Sequence, residues 1–313
     1  MDDGLAADGL AKDSAAARLK PCRGDLLERP TEYAPNKYAP ERSLERNAEA
    51  VRRPVRTVLG NSSLYQFQRT LKNAIHCSGV GVHSGEKVTL TLRPAAADSG
   101  IVFRRLDIIG HPEIKASWEN AVEAPLCTLL KAGAVKVSTI EHLMSALVGC
   151  GIDNALVELD AEEVPIMDGS AAPFVFLIEC AGSRELSSPR KALRILQEVS
   201  VSEPNRSASL VPAESYEVRF EIEFDNPVVG RQVFDAAIDP VNYKRDISRA
   251  RTFGFRHEVE QMRAAGLGRG GSLDNAIVID GDTILNDGGL RYRDEFVRHK
   301  TLDAIGDLYM AGG

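Results

Sequence analysis

The run from Asp294 to Met310 constrains this chain more than any other, because it reads as one helix with two unlike faces. Side chains four apart stack on one side of a helix. His299, Asp303 and Asp307, at i, i+4 and i+8, therefore form a single polar stripe. Val297, Leu302, Ile305, Leu308 and Tyr309 make the apolar arc, roughly opposite that stripe. A fold containing this helix must bury one arc and find a use for the other. An imidazole and a carboxylate one turn apart, away from the packing face, can chelate one metal ion. The competing reading is a solvated charged face, so the metal reading requires a partner site.

Ser138-Thr139-Ile140-Glu141-His142-Leu143-Met144 supplies one. Ile140, Leu143, Met144 and Leu147 carry the i, i+3, i+4, i+7 signature of an amphipathic helix. His142 falls on the far side of that wheel, which argues against a buried core histidine and leaves a plain surface histidine as the alternative. Glu141 also has two readings. Ser138-x-x-Glu141 fits a capping box, in which the glutamate accepts from the cap residue's N–H. A carboxylate beside a metal ligand is also where a hydrolase needs a base for water.

Composition narrows the class. A chain of 313 residues can bury a sizeable core, and its length predicts about two domains. With 43% apolar and 27% charged residues the chain is ordinary for a globular protein. A net charge of −7 recruits neither nucleic acid nor an anionic membrane. The five cysteines, Cys22, Cys77, Cys127, Cys150 and Cys180, are odd in number and contain no C-x2-C pair. Reduced cysteines in a cytoplasmic protein are expected, without a disulfide frame or cysteine metal site. No stretch approaches the roughly 20 apolar residues of a membrane span, and the start lacks a signal peptide's apolar block.

Residues 1–63 hold five prolines, charges of both signs and only Tyr33 and Tyr38 as aromatics. They read as a mostly disordered extension, because they cannot bury enough apolar surface to offset their ordering entropy. A globular texture begins at Tyr65. Lys87–Pro94 alternates as a half-buried strand, with further strands expected at 101–103 and 155–159. The Glu141/His142 helix should stop at Gly149-Cys150-Gly151. Asp168-Gly169 reads as a turn before a helix near 174–180. Arg184–Arg190 is the expected domain boundary, giving domains 64–188 and 189–313. In the second, strands are expected at 193–201, 216–224 and 276–279, and a helix at 258–265. Gly266-Leu267-Gly268-Arg269-Gly270-Gly271 follows that helix and precedes a strand. A helix C-cap and tight turn fits that order; a phosphate loop does not.

Six segments together resemble one family, UDP-3-O-acyl-N-acetylglucosamine deacetylase, a zinc amidase of lipid A synthesis. They are Gly79-Val80-Gly81-Val82-His83-Ser84-Gly85, Leu126-Cys127-Thr128, Ser138 to Leu143, Pro165-Ile166-Met167-Asp168-Gly169-Ser170, Arg251-Thr252-Phe253-Gly254-Phe255, and His299 to Asp307. The resemblance runs from about Tyr65 to the last residue, with the segments in order and in register. It implies an α+β fold of two similar two-layer sheet/helix domains, each with an insert, and a metal site between them. It maps the zinc ligands onto His142, His299 and Asp303, with ferrous iron as an alternative ion. Glu141 takes the position of the general base for the water that attacks the N-acetyl carbonyl. The Thr252 hydroxyl is expected at the oxyanion, Phe253 against the substrate, and Lys300 at its diphosphate. Asp307 is the carboxylate expected to orient an imidazole, while Cys127 and His83 are expected to line the substrate site. Residues 259–285 resemble the insert that passes the acyl chain, with Ile277, Val278 and Ile279 suited to it or to a plain buried strand. The partner implied is the UDP-sugar, met by a monomer whose membrane contact is at most peripheral, through the acyl chain.

The family pattern continues past Gly313 to a histidine that protonates the leaving amine, and His76, His83, His111 and His257 do not match it. Losing a general acid typically costs on the order of 10²–10⁴ in rate. The alternative to an active deacetylase is therefore a metal-holding fragment or pseudoenzyme that only binds the nucleotide-sugar or a partner.

Overall fold

The computed structural model describes residues 66–124 and 126–312, so the expected extension over 1–63 lies outside the described residues. The first half is built from β1 (Phe67–Leu71), β2 (Ile75–Val80), β3 (Lys87–Pro94), β4 (Ile101–Arg105) and β5 (Glu113–Lys115). A small meander follows, β6 (Ala121–Val122), β7 (Leu129–Ala132) and β8 (Val135–Ser138), then α1 (Glu141–Gly149), β9 (Ala155–Leu159), α2 (Ala172–Ala181) and β10 (Ser183–Pro189). Five of these strands form one sheet in the order β2-β3-β9-β4-β5. β9 sits at its centre, antiparallel to β3 and parallel to β4.

The register explains why β3 alternates. Ile75, Leu92, Val157, Phe103 and Ile114 line up as cross-strand neighbours on one row across all five strands. Four of them are fully buried and Ile75 is partly so. Each such side chain contributes roughly 1.5–3 kcal/mol through removal from water. Arg93, Arg104, Glu113 and Glu158 form an ion-pair ladder on the same sheet.

The second half contains β11 (Val199–Glu203), β12 (Arg206–Leu210), β13 (Glu217–Glu223), β14 (Arg231–Ala237), the one-turn α3 (Pro240–Asn242) and a π-helical turn, Tyr243–Ile247. It closes with β15 (Phe253–Phe255), α4 (Arg256–Ala264), β16 (Ile277–Asp280), β17 (Thr283–Ile284) and α5 (Glu295–Tyr309). Gly266 follows α4 with φ 83°, the left-handed turn expected of the glycine-rich run. Together these elements make a mixed α/β architecture of several sheets and five helices among the described residues.

Two local expectations are corrected, and the expected boundary region gains an element. Arg184–Arg190 lies largely in β10, which pairs antiparallel with β1, and the Arg190 guanidinium reaches Asp153 at 2.7 Å. Its polar residues are those of a solvent-facing edge strand. The strand expected from Leu193 begins only at Val199, and Leu193 and Leu196 are exposed. The capping box does not form, because Ser138 belongs to β8 and Ile140 is the cap residue, with no side-chain cap bond. Thr139, at φ 57°, turns the chain sharply between strand and helix, which takes Ser138 away from the Glu141 side chain's end of the helix.

α1 and α5 pack against each other along a seam that permits unusually close approach. A Cβ at Gly306 would lie 2.1 Å from the Glu141 carbonyl oxygen, so only glycine fits there. At the other end of α1, a Cβ at Gly149 would lie 2.2 Å from the Tyr243 ring. The buried Tyr243 hydroxyl donates to Ser145 Oγ at 2.9 Å, tying the π-helical turn to α1.

Candidate metal centre and the carboxylates beside it

The polar stripe of α5 faces α1 and not solvent, which corrects the placement of both histidines on open helix faces. His142, His299 and Asp303 are only 4%, 3% and 1% exposed. α1 is buried at every position except Val148, so its far side is an interface as well. The two Nε2 atoms lie 3.0 Å apart, with the rings edge-on at 88°. Asp303 Oδ1 stands 3.4 Å from His142 Nε2, and Asp303 Oδ2 stands 3.4 Å from His299 Nδ1. One ligand atom from each residue falls within 4.8 Å of the others.

These residues fit a divalent cation. Both imidazole Nδ1 atoms and both Asp303 oxygens are buried without a hydrogen-bond partner. Each such atom costs about 1–3 kcal/mol when left unpaired. Burial holds His299 down to about 3, in its neutral form. Burial opposes ionisation of Asp303, but His299, His142 and Lys300 outweigh it and carry the carboxyl down to about 2. Neutral imidazole and ionised carboxylate are the forms that donate electron pairs to a hard or borderline cation.

Two further carboxylates border this group. Burial first, and then the Asp303 charge, push Glu141 up to about 8. Its Oε2 accepts the Thr128 N–H at 3.1 Å. Asp307 is raised well above its usual value by burial and by Glu141, and its Oδ1 accepts the Thr128 hydroxyl at 2.7 Å. Lys300 places its ammonium 3.7 Å from Asp303 and 5.6 Å from the centre of the Phe253 ring. Phe253 lies edge-on to His299 at 6.1 Å and to Phe296 at 4.8 Å. The Cys127 thiol is pushed up to about 12 by burial and by the neighbouring Glu141.

Residues 68–313 match the family described as UDP-3-O-acyl N-acetylglycosamine deacetylase. The chain belongs to this family. Over 247 residues it is 56% identical to the UDP-3-O-acyl-N-acetylglucosamine deacetylase of Teredinibacter turnerae, which covers 78% of this chain and 82% of that protein. Proteins of the same name from Saccharophagus degradans and Pseudomonas entomophila are each 54% identical over the same length and shares.

Not every expected site residue of this family member joins the cluster. Thr252 is held by its backbone: its N–H donates to the Gly169 carbonyl and its carbonyl accepts from Ile277 N–H, each at 2.8 Å. Among the described residues no hydrogen bond links its hydroxyl to the His/His/Asp group. His83 belongs to the turn after β2, where its N–H donates to Glu163 Oε1 at 2.9 Å and its carbonyl accepts from Arg269 N–H at 3.2 Å. Burial lowers its imidazole's affinity for a proton.

Two polar residues escaped sequence reasoning. Thr128 closes the segment Leu126-Cys127-Thr128, yet nothing in its spacing shows that it touches both Glu141 and Asp307. Glu163 is buried and accepts from His83 N–H, Ser84 N–H, Ser84 Oγ and Thr139 Oγ1 at 2.7–3.0 Å. It thereby joins the glycine-rich turn to the residue two before Glu141. The available signal was an acidic residue set between the apolar stretches Ala155–Leu159 and Val164–Met167.

Proposed function

We propose that this chain hydrolyses the N-acetyl amide of UDP-3-O-(3-hydroxyacyl)-N-acetylglucosamine, releasing acetate, as a step of lipid A biosynthesis. The observation that carries the reading is the buried His142/His299/Asp303 group with Glu141 beside it, in a chain more than half identical to deacetylases of that name. His142, His299 and Asp303 would hold zinc, or ferrous iron. The ion would supply a Lewis acid for the amide carbonyl and make the attacking water more acidic. Glu141 accepts that water's proton. A carboxyl raised toward neutrality is matched to such a transfer, because a general base works best near the operating pH. Thr252 is assigned to the oxyanion, Phe253 to the sugar face, Lys300 to the diphosphate, and Cys127 and His83 to the walls of the substrate site. Asp307, one turn beyond Asp303, is assigned to orienting an imidazole, although among the described residues the hydrogen bond it makes is with the Thr128 hydroxyl.

The two-domain arrangement is part of the same reading, with the division after residue 188. It is supported by the strand pairing: among the described residues, no sheet mixes strands from before Pro189 with strands from after Val199. No helix of the described residues is long and apolar enough to cross a membrane. Binding without turnover is disfavoured, because the chain keeps a carboxylate base next to its metal group.

Acetate release from the acylated UDP-sugar by the purified chain with one equivalent of zinc tests this function. Turnover is expected, and Glu141→Ala should retain the metal while losing on the order of 10²–10⁴ in kcat. A folded, metal-loaded wild type without turnover would overturn the activity. An active Glu141→Ala variant would overturn the base assignment.

A further inference from the structure

Glu141 and Asp307 come from different helices and meet because Gly306 lets α5 lie directly against the first residue of α1. Both are buried, so the charged form of each is disfavoured and their orientation depends on the donors they find. The donor they share is Thr128. Its backbone N–H donates to Glu141 Oε2 at 3.1 Å, and its hydroxyl donates to Asp307 Oδ1 at 2.7 Å. One residue thus gives one donor to each carboxylate, from a segment that belongs to neither helix.

That segment is rigidly mounted. β7 begins at the next residue, where Leu129 pairs with Ser138, the last residue of β8, and the turn into α1 follows directly. Two residues before Thr128, Leu126 has φ 67°, a left-handed conformation that a leucine adopts only where its surroundings enforce it. A strained backbone on the approach and a strand on the exit hold the two donors in place.

We infer that Thr128 is a positioning residue of the deacetylase: by bridging Glu141 and Asp307 it fixes both carboxylates in their working rotamers across the α1–α5 seam. The inference rests on the proposed deacetylation. Thr128 transfers no proton and is unchanged by turnover, and its effect runs entirely through the two groups it touches. A hydroxyl lost from an ionisable partner weakens that positioning by roughly 10- to 100-fold in rate.

Thr128→Val keeps the shape and the N–H but deletes the hydroxyl, whereas Thr128→Ser keeps both donors. Acetate release should fall about 10- to 100-fold in kcat for Thr128→Val, with KM within about twofold and metal content unchanged. Thr128→Ser should restore kcat to near the wild-type value. In an Asp307→Asn background, Thr128→Val should cost far less than in the wild type, since the partner is already altered. Wild-type kcat in Thr128→Val, or the full loss repeated in Asp307→Asn, would overturn the inference. So would a loss that Thr128→Ser does not rescue and that falls equally on KM and thermal stability. The same double-mutant cycle measured by denaturant unfolding separates the two readings. Coupling between Thr128 and Asp307 in a wild type that fails to turn over sinks the deacetylase reading alone. Zero coupling sinks the role of Thr128 whatever the activity.

Discussion

α4 and α5 each set a charged stripe opposite an apolar one, yet none of the nine residues of α4 is buried and ten of the fifteen in α5 are. In α4, Glu258, Val259 and Met262 form a half-buried inner side, while Arg256, Glu260 and Arg263 are exposed. In α5, Phe296, Leu302 and Ile305 pack on one side while His299, Asp303 and Asp307 are buried on the other, against α1. A charged face on a helix becomes an interior face when a second helix brings groups that can share its charge. α1 does so with His142 and Glu141. Four substitutions, one of them read through a pH titration, measure how far the two helices differ.

The largest effect is expected at the metal group. His299→Ala removes one of two buried imidazoles and leaves Asp303 with a single histidine contact. Metal content should fall from one equivalent to near zero and turnover by at least about 10³-fold, read by elemental analysis and acetate release. Metal retained at full stoichiometry would show that His299 is not a ligand.

Gly306→Ala tests the seam itself. The added methyl would sit 2.1 Å from the Glu141 carbonyl oxygen, a backbone atom that cannot rotate away. Overpacking of a buried site costs roughly 1–3 kcal/mol, and the upper end is expected here from denaturant unfolding. A neutral result would mean that α1 and α5 are not held at the distance described.

A smaller and graded effect follows from pH. In the metal-free protein Glu141 holds its proton up to about 8, against an ordinary value of 4.5. Between those values the folded state binds more protons than the unfolded one, so stability falls as pH rises. His299, lowered from 6.5 to about 3, acts oppositely below 6.5, where the unfolded chain takes the proton. Above 6.5 only the falling contribution of Glu141 remains from this pair. Unfolding of metal-free protein between pH 6.5 and 8 should therefore show declining stability. Glu141→Gln should flatten that decline, and an unchanged slope in the variant would contradict the assignment.

What the sequence disclosed follows the same divide. β3 was legible because its alternation is recorded in consecutive residues, and α1 because Gly149 and Gly151 mark its end. The His142, His299 and Asp303 set was legible because two of its members share a helix at fixed spacing and the third lies in a recognisable segment. Burial of that set was not legible, because a helical wheel shows which faces differ and not what covers them. The same gap hid β10, whose polar residues become a strand only through pairing with β1 more than a hundred positions earlier. It also hid Glu163 and Thr128, whose partners arrive from other elements. The Glu141 capping box failed for a related reason, since Thr139 adopts a left-handed conformation that spacing alone does not foretell.

The smallest effect is expected on α4. Glu260 pairs with Arg256 one turn earlier at 3.2 Å, with both side chains more than half exposed. Arg256 also reaches Asp280 on β16 at 2.6 Å, so removing Glu260 leaves the guanidinium with a partner. Exposed pairs of this kind contribute little, because water screens the charges and holding two long side chains together costs entropy. Glu260→Ala should shift Tm by no more than about 1 °C and leave kcat unchanged. A loss comparable to that of Gly306→Ala would break the comparison, since it would mean that an exposed ion pair on α4 contributes as much as the buried seam of α5.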